Sequence, residues 1–408
     1  MMKENGATAI KGGLIITPFQ RIENGVILIE RGEIKAVGEE RRVEIPSEAR
    51  VIDARGKTVV PGFIDIHGHG GGGNDTLDGT YEAINNIAEF KAENGTTGFL
   101  PTTVTAPQDK LLNSARAVRE AIEKGTGGAE ALGIHLEGPY LNVEKKGAQN
   151  EKYIRKPSLE ELDEIIEASD GSVKIVTLAP EVEGSIEFIK GVCQRGIVAS
   201  AGHTNATYEE VVSAVKAGLS HICHTYSAMR EFHHREPSVV GAVLSCEELT
   251  AELIADGLHV HPAAIELLIK CKGVDKVILV TDAVVGAGIP EGEYELGGKT
   301  IIIKKERHEY VLIGRRIVIE AGLSRFPDGT IAGSVLTMNT AVRNVANFVG
   351  LPLQDAVKMA TVNPARRIGV YERKGSLEAG KDADVAVVDD KLNVYMTMVK
   401  GRIVYEKR

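Results

Sequence analysis

Two histidines, His67 and His69, stand at the end of an apolar run over residues 58–66 and precede four consecutive glycines. Residues two apart on a β-strand point to the same side, so both imidazoles would leave the strand end together. A pair of imidazoles arranged in this way can bind a divalent transition metal. Short motifs recur by chance, and two histidines in a surface loop would give the same pattern. The interpretation therefore depends on whether further ligands stand at the ends of other strands.

Polar residues that can bind a metal do stand at the ends of four later apolar runs. They are Glu137, His203, His224 and Asp282. With the first pair they make four imidazoles and two carboxylates, a ligand set that suits Zn, Fe, Mn or Co. Each residue alone has an ordinary structural explanation, such as a helix cap or a hydrogen-bonded interior histidine. Their coincidence at five strand ends predicts one metal centre that holds one or two ions.

Side chains alternate between the two faces of a strand, which predicts that three other polar residues on these runs do not bind the metal. His221 lies three residues before His224, so we expect it to face outward and to be structural. Cys223 is expected to point away from the centre as a buried thiol. His135 shares a face with Glu137 but lies one layer deeper, so we expect it to support the ligands rather than to bind the ion.

The apolar runs alternate with helical patterns through most of the chain. The predicted strands cover residues 59–67, 98–103, 131–138, 173–180, 197–203, 221–226, 251–259 and 276–282. The predicted helices cover about 80–94, 109–124, 158–169, 184–194, 207–217, 262–271 and 338–349, and the stretch after the sixth strand is expected to be mostly loop. Eight strands joined by helices predict an α/β fold, a (β/α)8 TIM-like barrel with catalytic groups at the C-terminal strand ends. A doubly wound sheet is the alternative.

The two ends of the chain have a different pattern from its middle. Short β-branched runs separated by turn residues fill residues 1–58 and return in residues 376–408, which predicts a small β-sandwich domain built from both termini. Residues 59–375 are then the barrel domain. Residues 291–333 interrupt its alternation of strands and helices. Within them, runs over 294–303 and 310–319 predict an inserted β-hairpin.

Composition limits the classes of partner. The chain has 408 residues, of which 43% are hydrophobic and 26% charged, with a formal net charge of -9. No basic face stands out, which argues against nucleic acid as a partner. Its four cysteines are scattered, as in reduced cytoplasmic proteins. We expect no secretory signal and no membrane segment, because no apolar stretch approaches the roughly 18 residues that a bilayer requires.

The predicted metal centre indicates hydrolysis of an amide. A bound divalent metal lowers the pKa of water and polarises a carbonyl group, so metal-bound hydroxide is the expected nucleophile. Asp282 could take the proton of that water and return it to the leaving amine. His259, which ends the seventh run, could donate a hydrogen bond to the carbonyl oxygen, or could be a packed interior histidine. Arg235 could bind a phosphate or carboxylate, and Lys145 adds positive charge to the same face.

Seven motifs in order along nearly the whole chain resemble a known family. They cover residues 61–70, 135–140, 200–204, 234–237, 255–259, 280–283 and 332–334, the last of which contains Ala332. Together they are similar to the N-acetylglucosamine-6-phosphate deacetylases of the amidohydrolase superfamily. The resemblance implies a small-molecule amino sugar phosphate as substrate, glucosamine 6-phosphate and acetate as products, and a homodimer.

The resemblance also implies roles for individual residues. Glu137, His203 and His224 match the family's metal ligands, while His67 and His69 match members that retain a first-strand pair and can hold a second metal. Asp282 matches the general base and acid, His259 the histidine that polarises the carbonyl group, and Arg235 the arginine that binds phosphate.

The chain departs from the family's pattern at two places, both where the sugar phosphate would bind. Ser227 and Ala228 stand where relatives commonly have Asn-Ala, and Gln149 stands where they often have histidine. These departures leave the exact sugar open, and N-acetylgalactosamine 6-phosphate is an alternative substrate. A cyclic-amide hydrolase is a further alternative, but the fourth strand lacks the lysine that many of those enzymes carboxylate. A non-enzymatic scaffold is the last alternative, although every ligand is retained.

Overall fold

The centre of the protein is a barrel of eight parallel strands, seen in a computed structural model that describes residues 6–296, 299–312 and 315–407. In chain order the barrel strands are Phe63–Gly68, Thr96–Thr103, Ile134–Glu137, Val173–Leu178, Val198–Ala201, His221–Ile222, Thr250–Ile254 and Val277–Val280. Each pairs with the next along the chain. Just beyond the eighth strand, the amide of Asp282 donates to the carbonyl of His67 at 2.9 Å, which joins it to the first. The predicted (β/α)8 barrel is confirmed.

Helices surround the barrel and bury the outer faces of its strands. They are Tyr81–Glu93, Gln108–Lys124, Leu159–Ala168, Ser185–Gln194, Tyr208–Ala217, Ser238–Ser245, Pro262–Lys272, Met338–Val349, Leu353–Met359 and Val362–Arg367. The barrel strands read as continuous apolar runs because parallel strands covered by helices are buried on both faces. Within the described residues, no helix is both long and apolar enough to cross a lipid bilayer.

One helix lies where a loop was expected. Ser238–Ser245 lies in the stretch after the sixth strand that was expected to be mostly loop. The remaining residues of 227–249 are outside helices, as expected, but this helix was not predicted. Six of its eight residues are buried, from Ser238 to Val243. A helix that is apolar all round lacks the 3.6-residue alternation of polar and apolar residues by which surface helices are detected.

The two ends of the chain form a separate sheet. Its strands are Thr8–Ile16, Arg21–Glu30, Glu33–Glu39, Arg50–Asp53, Thr58–Pro61, Val385–Val388, Val394–Val399 and Arg402–Glu406, paired into one sheet of eight strands. The predicted small β domain from both termini is therefore present, while its limits at residues 58 and 376 stay a prediction. Residues 1–5 and 408 lie outside the described part of the chain.

The first predicted barrel strand is divided between these two sheets. Thr58–Pro61 pairs with Val385–Val388 in the terminal sheet, and Phe63–Gly68 begins the barrel. Gly62 stands between them, and a Cβ atom there would lie 2.0 Å from Cγ2 of Thr97. Only glycine therefore allows the chain to cross from one sheet to the other at this point.

The insertion is a four-stranded antiparallel sheet rather than a simple hairpin. Its strands are Gly292–Leu296, Lys299–Leu312, Arg315–Arg325 and Ile331–Ser334. The strands predicted over 294–303 and 310–319 each run across residues, 297–298 and 313–314, that lie outside the described part of the chain. On either side of those residues Leu296 pairs with Lys299 and Leu312 with Arg315, so the strand limits differ from the prediction.

Candidate metal centre

Three predicted ligands form the first of two adjoining groups, which we call subsite 1. Nε2 of His224 lies 2.9 Å and Nε2 of His203 lies 3.1 Å from Oε1 of Glu137, and the two nitrogens are 3.1 Å apart. Ligands bound tetrahedrally at about 2.0–2.1 Å from one ion are separated by roughly 3.3 Å. The spacing of these three atoms therefore suits a single transition-metal ion.

The remaining ligands form subsite 2, which consists of His67, His69 and Asp282. Oδ1 of Asp282 lies 3.1 Å from Nε2 of His69 and 3.5 Å from Nε2 of His67. Glu137 adjoins both subsites, because Oε1 lies 3.4 Å from His67 and Oε2 lies 3.4 Å from His69. Nε2 of His67 is buried and has no hydrogen-bond partner. A buried nitrogen that has no hydrogen-bond partner and lies close to two carboxylates fits the role of a metal ligand.

The two buried carboxylates of the centre also favour the binding of a cation. Glu137 and Asp282 are both buried among imidazoles, and buried carboxylates are costly unless positive charge compensates them. Burial would raise the pKa of Glu137, but the charges of His203 and His67 lower it well below its usual range. Burial would lower the pKa of His69, but its hydrogen bond with Asp282 and the charge of Glu137 raise it. A divalent metal would supply the positive charge that these two buried carboxylates require.

Unusual backbone conformations turn two of the ligands into the centre. His203 and Asp282 follow the ends of the fifth and eighth strands with φ of 48° and 47°. Residues with side chains seldom adopt positive φ, and such strain gathers at functional sites. Hydrogen bonds fix both: the carbonyl of His203 accepts from Asn142 at 3.0 Å, and that of Asp282 accepts from Ser334 at 3.0 Å.

Glu252 contacts ligands of the metal centre, although it was not identified from the sequence. Its Oε2 accepts from Nδ1 of His67 at 2.8 Å and from the amide of His224 at 3.1 Å, and its Oε1 lies 3.0 Å from Nε2 of His221. Burial would raise the pKa of this carboxyl, but the charge of His67 and these hydrogen bonds lower it well below its usual range. Glu252 thus holds one ligand of each subsite. A charged residue within the apolar seventh strand was the available signal.

Two predictions from side-chain alternation were wrong. His221 faces the barrel interior, where it meets Glu252, instead of facing outward. Cys223 is buried as predicted but approaches the centre, with Sγ 3.4 Å from Nδ1 of His67 and 3.6 Å from Oε1 of Glu137. The sixth strand ends at Ile222, so the alternation that relates Cys223 to His224 no longer applies.

His135 takes the supporting position that was expected of it. Its Nδ1 lies 3.0 Å from the carbonyl of Ile66 and its Nε2 lies 2.8 Å from Oγ1 of Thr177. Its ring packs edge-on against His67, with centroids 4.6 Å apart. Burial and the charge of His67 lower the pKa of His135 to about 3, which keeps this ring neutral.

His259 is fixed by an acidic neighbour just beyond the seventh strand. Oδ2 of Asp256 lies 2.5 Å from its Nδ1, and Oδ1 accepts from its backbone amide at 2.8 Å. Burial would lower the pKa of His259, but the charge of Asp256 raises it. Because Nδ1 donates to Asp256, Nε2 can act as a second donor when the ring is protonated.

A loop after the third strand, residues 141–150, contacts both carboxylate and imidazole ligands. The carbonyl of Lys145 lies 3.0 Å from Nδ1 of His203, and the side-chain amide of Gln149 donates to Oε2 of Glu137. A Cβ atom on Gly147 would lie 3.4 Å from His203 and 3.7 Å from Ala228. The structure therefore brings Gln149 and Ala228 to the edge of the centre, and the amide of Ser227 donates to the carbonyl of His224 at 3.0 Å.

Two predicted substrate residues lie away from the ligands. Arg235 is exposed, and its guanidinium lies 2.8 Å from the neighbouring His234. Ala332 is fully buried in an apolar cluster with Val284, Val285, Ile301 and Phe326, between the inserted sheet and the segment after Asp282. The structure thus places neither side chain against the ligands of the centre.

A parallel barrel with histidine and carboxylate ligands at its strand ends is typical of metal-dependent hydrolases. Comparison with known proteins gives the same class. The model of the Amidohydrolase family matches residues 58–404. The N-acetylglucosamine-6-phosphate deacetylase of Bacillus subtilis is 38% identical over 399 residues, 97% of this chain and 96% of its own. The N-acetylgalactosamine-6-phosphate deacetylase of Escherichia coli is 36% identical over 358 residues, 88% and 90% of the two chains.

A solved structure agrees with these matches. The crystal structure of N-acetylglucosamine-6-phosphate deacetylase from Pasteurella multocida superimposes with a TM-score of 0.88 at 32% identity, covering 97% of this chain and 99% of that one. The chain belongs to the amidohydrolase family, and the resemblance inferred from its motifs is confirmed. Membership of this family implies a divalent metal, which the two subsites fit.

Proposed function

We propose that the protein hydrolyses the acetamide of N-acetylglucosamine 6-phosphate to glucosamine 6-phosphate and acetate. The observation that carries the proposal is Asp282, a carboxylate that adjoins both metal-binding imidazoles of subsite 2 at a strand end. High similarity over almost the whole length of deacetylases acting on this class of sugar supports the substrate.

Glu137, His203 and His224 would hold one divalent ion, and His67, His69 and Asp282 with Glu137 would hold a second. Zn, Fe, Mn and Co all suit this mixture of nitrogen and oxygen ligands. A bound ion of this kind lowers the pKa of water toward about 7 and polarises a carbonyl group. Glu252 and His135 orient the imidazole of His67, since Glu252 accepts from its Nδ1 and His135 packs edge-on against its ring.

Asp282 carries the proton in the reaction. As a carboxylate it accepts a proton from the attacking water through Oδ1 or Oδ2. It then gives that proton to the amide nitrogen, because an amine leaves only when protonated. Burial would raise the pKa of Asp282, but the hydrogen bond with His69 and the charge of His67 lower it, so the group starts the reaction as the base.

His259 stabilises the charge that develops on the carbonyl oxygen. Nδ1 donates to Asp256, so Nε2 carries an N–H only when the ring is protonated. A donor fixed in this way needs no reorganisation when negative charge develops on the oxygen during the attack. The raised pKa of His259 favours the protonated ring, which is the stronger donor.

The substrate-binding assignments extend from the ligands toward the surface. Arg235 binds the phosphate through its guanidinium, an exposed cation on the loop that follows the sixth strand. Ser227 and Ala228 offer backbone and hydroxyl groups near the same loop, and Gln149 contacts Glu137. Ala332 would contribute through packing, from the buried apolar cluster beside the segment after Asp282. Lys145 adds positive charge to the face that an anionic sugar approaches.

N-acetylgalactosamine 6-phosphate is the second candidate substrate. The similarity to the Escherichia coli enzyme that is named for that sugar favours it, and Ser227 departs from the family's pattern at the phosphate region. We also propose that the protein is a homodimer, as the resemblance implies, and that it is cytoplasmic, as its scattered cysteines indicate, with no nucleic acid or membrane as partner.

A substrate panel tests these proposals. Purified protein with added divalent metal is given both N-acetylated sugar phosphates and unphosphorylated N-acetylglucosamine, and kcat/KM is measured from released acetate. The proposal predicts the highest kcat/KM with N-acetylglucosamine 6-phosphate. A higher value with the galactosamine compound would select the second candidate, and sedimentation of the same sample measures the oligomeric state.

A further inference from the structure

The side chain of Gln149 forms a bridge between Glu137 and the backbone of another strand end. Its Oε1 accepts from the amide of Thr105 at 2.7 Å, and its Nε2 donates to Oε2 of Glu137. The orientation of the side chain is settled by these partners, because a backbone N–H can only donate and a carboxylate can only accept. Gln149 is 4% exposed, so water does not compete for either bond.

The two oxygens of Glu137 are consequently in different surroundings. Oε1 lies 2.9 and 3.1 Å from the two imidazoles of subsite 1. It also lies 3.4 Å from Nε2 of His67 in subsite 2 and accepts from the thiol of Cys223 at 3.6 Å. Oε2 is the oxygen nearest His69 of subsite 2, at 3.4 Å, and it already accepts the amide of Gln149. A hydrogen bond to a carboxylate is among the stronger ones, and it withdraws electron density that a second cation would share.

The loop that carries Gln149 is itself well anchored. Asn142 donates through Nδ2 to Glu181 at 2.9 Å, and the carbonyl of Lys145 engages His203 at 3.0 Å. Ala148 packs on the apolar cluster of the inserted sheet, and the amide of Gln149 donates to the carbonyl of Lys146 at 2.9 Å. The side-chain amide is therefore held in place before any ion binds.

We infer that Gln149 is a positioning residue for Glu137, and that its amide bond to Oε2 makes subsite 1 bind its metal ion more tightly than subsite 2. Gln149 leaves Oε1 facing His203 and His224, and its amide occupies Oε2, the oxygen that would otherwise be available to an ion held by His69. The inference rests on the proposed metal-dependent function, but it concerns the order in which the two subsites fill.

Metal titration without substrate tests the inference. Protein freed of metal is titrated with Zn²⁺ against a chromophoric chelator, and the two dissociation constants are measured for the wild type, Gln149→Glu and Gln149→Met. Gln149→Glu retains an acceptor for Thr105 but removes the donor to Glu137. Asn150→Ala is the control, because Asn150 lies on the same loop and its side chain accepts from the amide of Lys152 at 3.2 Å instead of bonding to Glu137.

The ratio of the second dissociation constant to the first shows whether Gln149 makes subsite 1 bind metal more tightly than subsite 2. We expect that ratio to exceed about ten in the wild type and Asn150→Ala, and to fall about tenfold in both Gln149 variants. Mere loosening of the loop would weaken both subsites together and leave the ratio unchanged, which would overturn the inference. Equal constants in the wild type would overturn it as well. Failure of the proposed function would instead appear as an absence of acetate release from protein that binds metal normally.

Discussion

Oε2 of Glu252 lies 2.8 Å from Nδ1 of His67 in the interior of the barrel, and both side chains are completely buried. The carboxylate keeps a proton on Nδ1 and so directs the lone pair of Nε2 toward Glu137 and Asp282. Carboxylates behind metal-binding imidazoles act in this way in many metal sites. Glu252 therefore links the interior of the barrel to the ligands at its rim.

Replacing Glu252 tests this link. Glu252→Gln puts an N–H group among three donors, so His67 and His224 lose part of their orientation. We expect weaker binding of metal by about 10- to 100-fold, measured by titration of the metal-free protein. Glu248→Gln changes an exposed glutamate four residues earlier and serves as the control. Unchanged metal affinity in Glu252→Gln would show that the carboxylate does not orient the ligands.

Asp282→Asn removes the proton carrier while retaining an oxygen at the same place. We expect kcat to fall by about 10²- to 10⁴-fold, because an amide side chain can neither accept the proton of water nor deliver it to the amine. Acetate release and circular dichroism are measured on the same samples, with Asp275→Asn, an exposed aspartate before the eighth strand, as the control. A folded Asp282→Asn variant with normal kcat would refute the assignment.

Arg235→Ala tests the phosphate site. Loss of the guanidinium should raise KM for the phosphorylated sugar about tenfold or more, with a much smaller effect on unphosphorylated N-acetylglucosamine. Arg119→Ala removes an arginine from the outer face of a helix, where it pairs with Glu123, and should change neither KM. Equal effects of Arg235→Ala on both sugars would remove this residue from the phosphate site.

A buried ion cluster predicts how stability depends on pH. Lys374 is fully buried and lies 2.7 Å from Glu130 and 2.5 Å from Asp384, which directly precedes the strand Val385–Val388. Arg373 lies 2.8 Å from Glu130. Burial would raise the pKa of Glu130, but the hydrogen bond with Arg373 and the charge of Lys374 lower it to about 2. A carboxyl whose pKa is lowered by folding stabilises the folded state above its unfolded value and loses that contribution as pH falls.

We therefore expect Glu130→Gln to be less stable than the wild type at pH 7, by up to about 3 kcal/mol. That difference should shrink as pH falls from about 4.5 toward 2, because protonation removes the same charge from the wild type. Urea unfolding of metal-free protein at several pH values measures the free energy of unfolding. Glu123→Gln, in an exposed pair with Arg119, should change it little. A difference that stays constant across this range would contradict the account.

The residues that the sequence identified best are those at the strand ends. Glu137, His203, His224 and Asp282 could be predicted to converge because parallel barrel strands end on one face, whatever the loops between them do. The same reasoning failed for Cys223, since the sixth strand is short and its alternation ends before that residue. Glu252 lies within an apolar strand, where only its charge distinguishes it from its neighbours.

Contacts made by irregular segments were beyond prediction from the sequence. The bond from Gln149 to Glu137 depends on how an irregular loop folds back over a strand end, and no periodicity describes that path. The split of the first apolar run at Gly62 likewise depends on how close Thr97 approaches, which is a property of tertiary packing.

The most direct test of the account is the release of acetate as metal is returned to metal-free protein. Zn²⁺ or another divalent transition metal is added in steps to the wild type in the presence of N-acetylglucosamine 6-phosphate, and acetate is measured at each step. We predict no release without metal and a rate that rises to a plateau at one or two ions per chain. An absence of acetate at full metal occupancy, or an equal rate in the metal-free protein, would contradict the account.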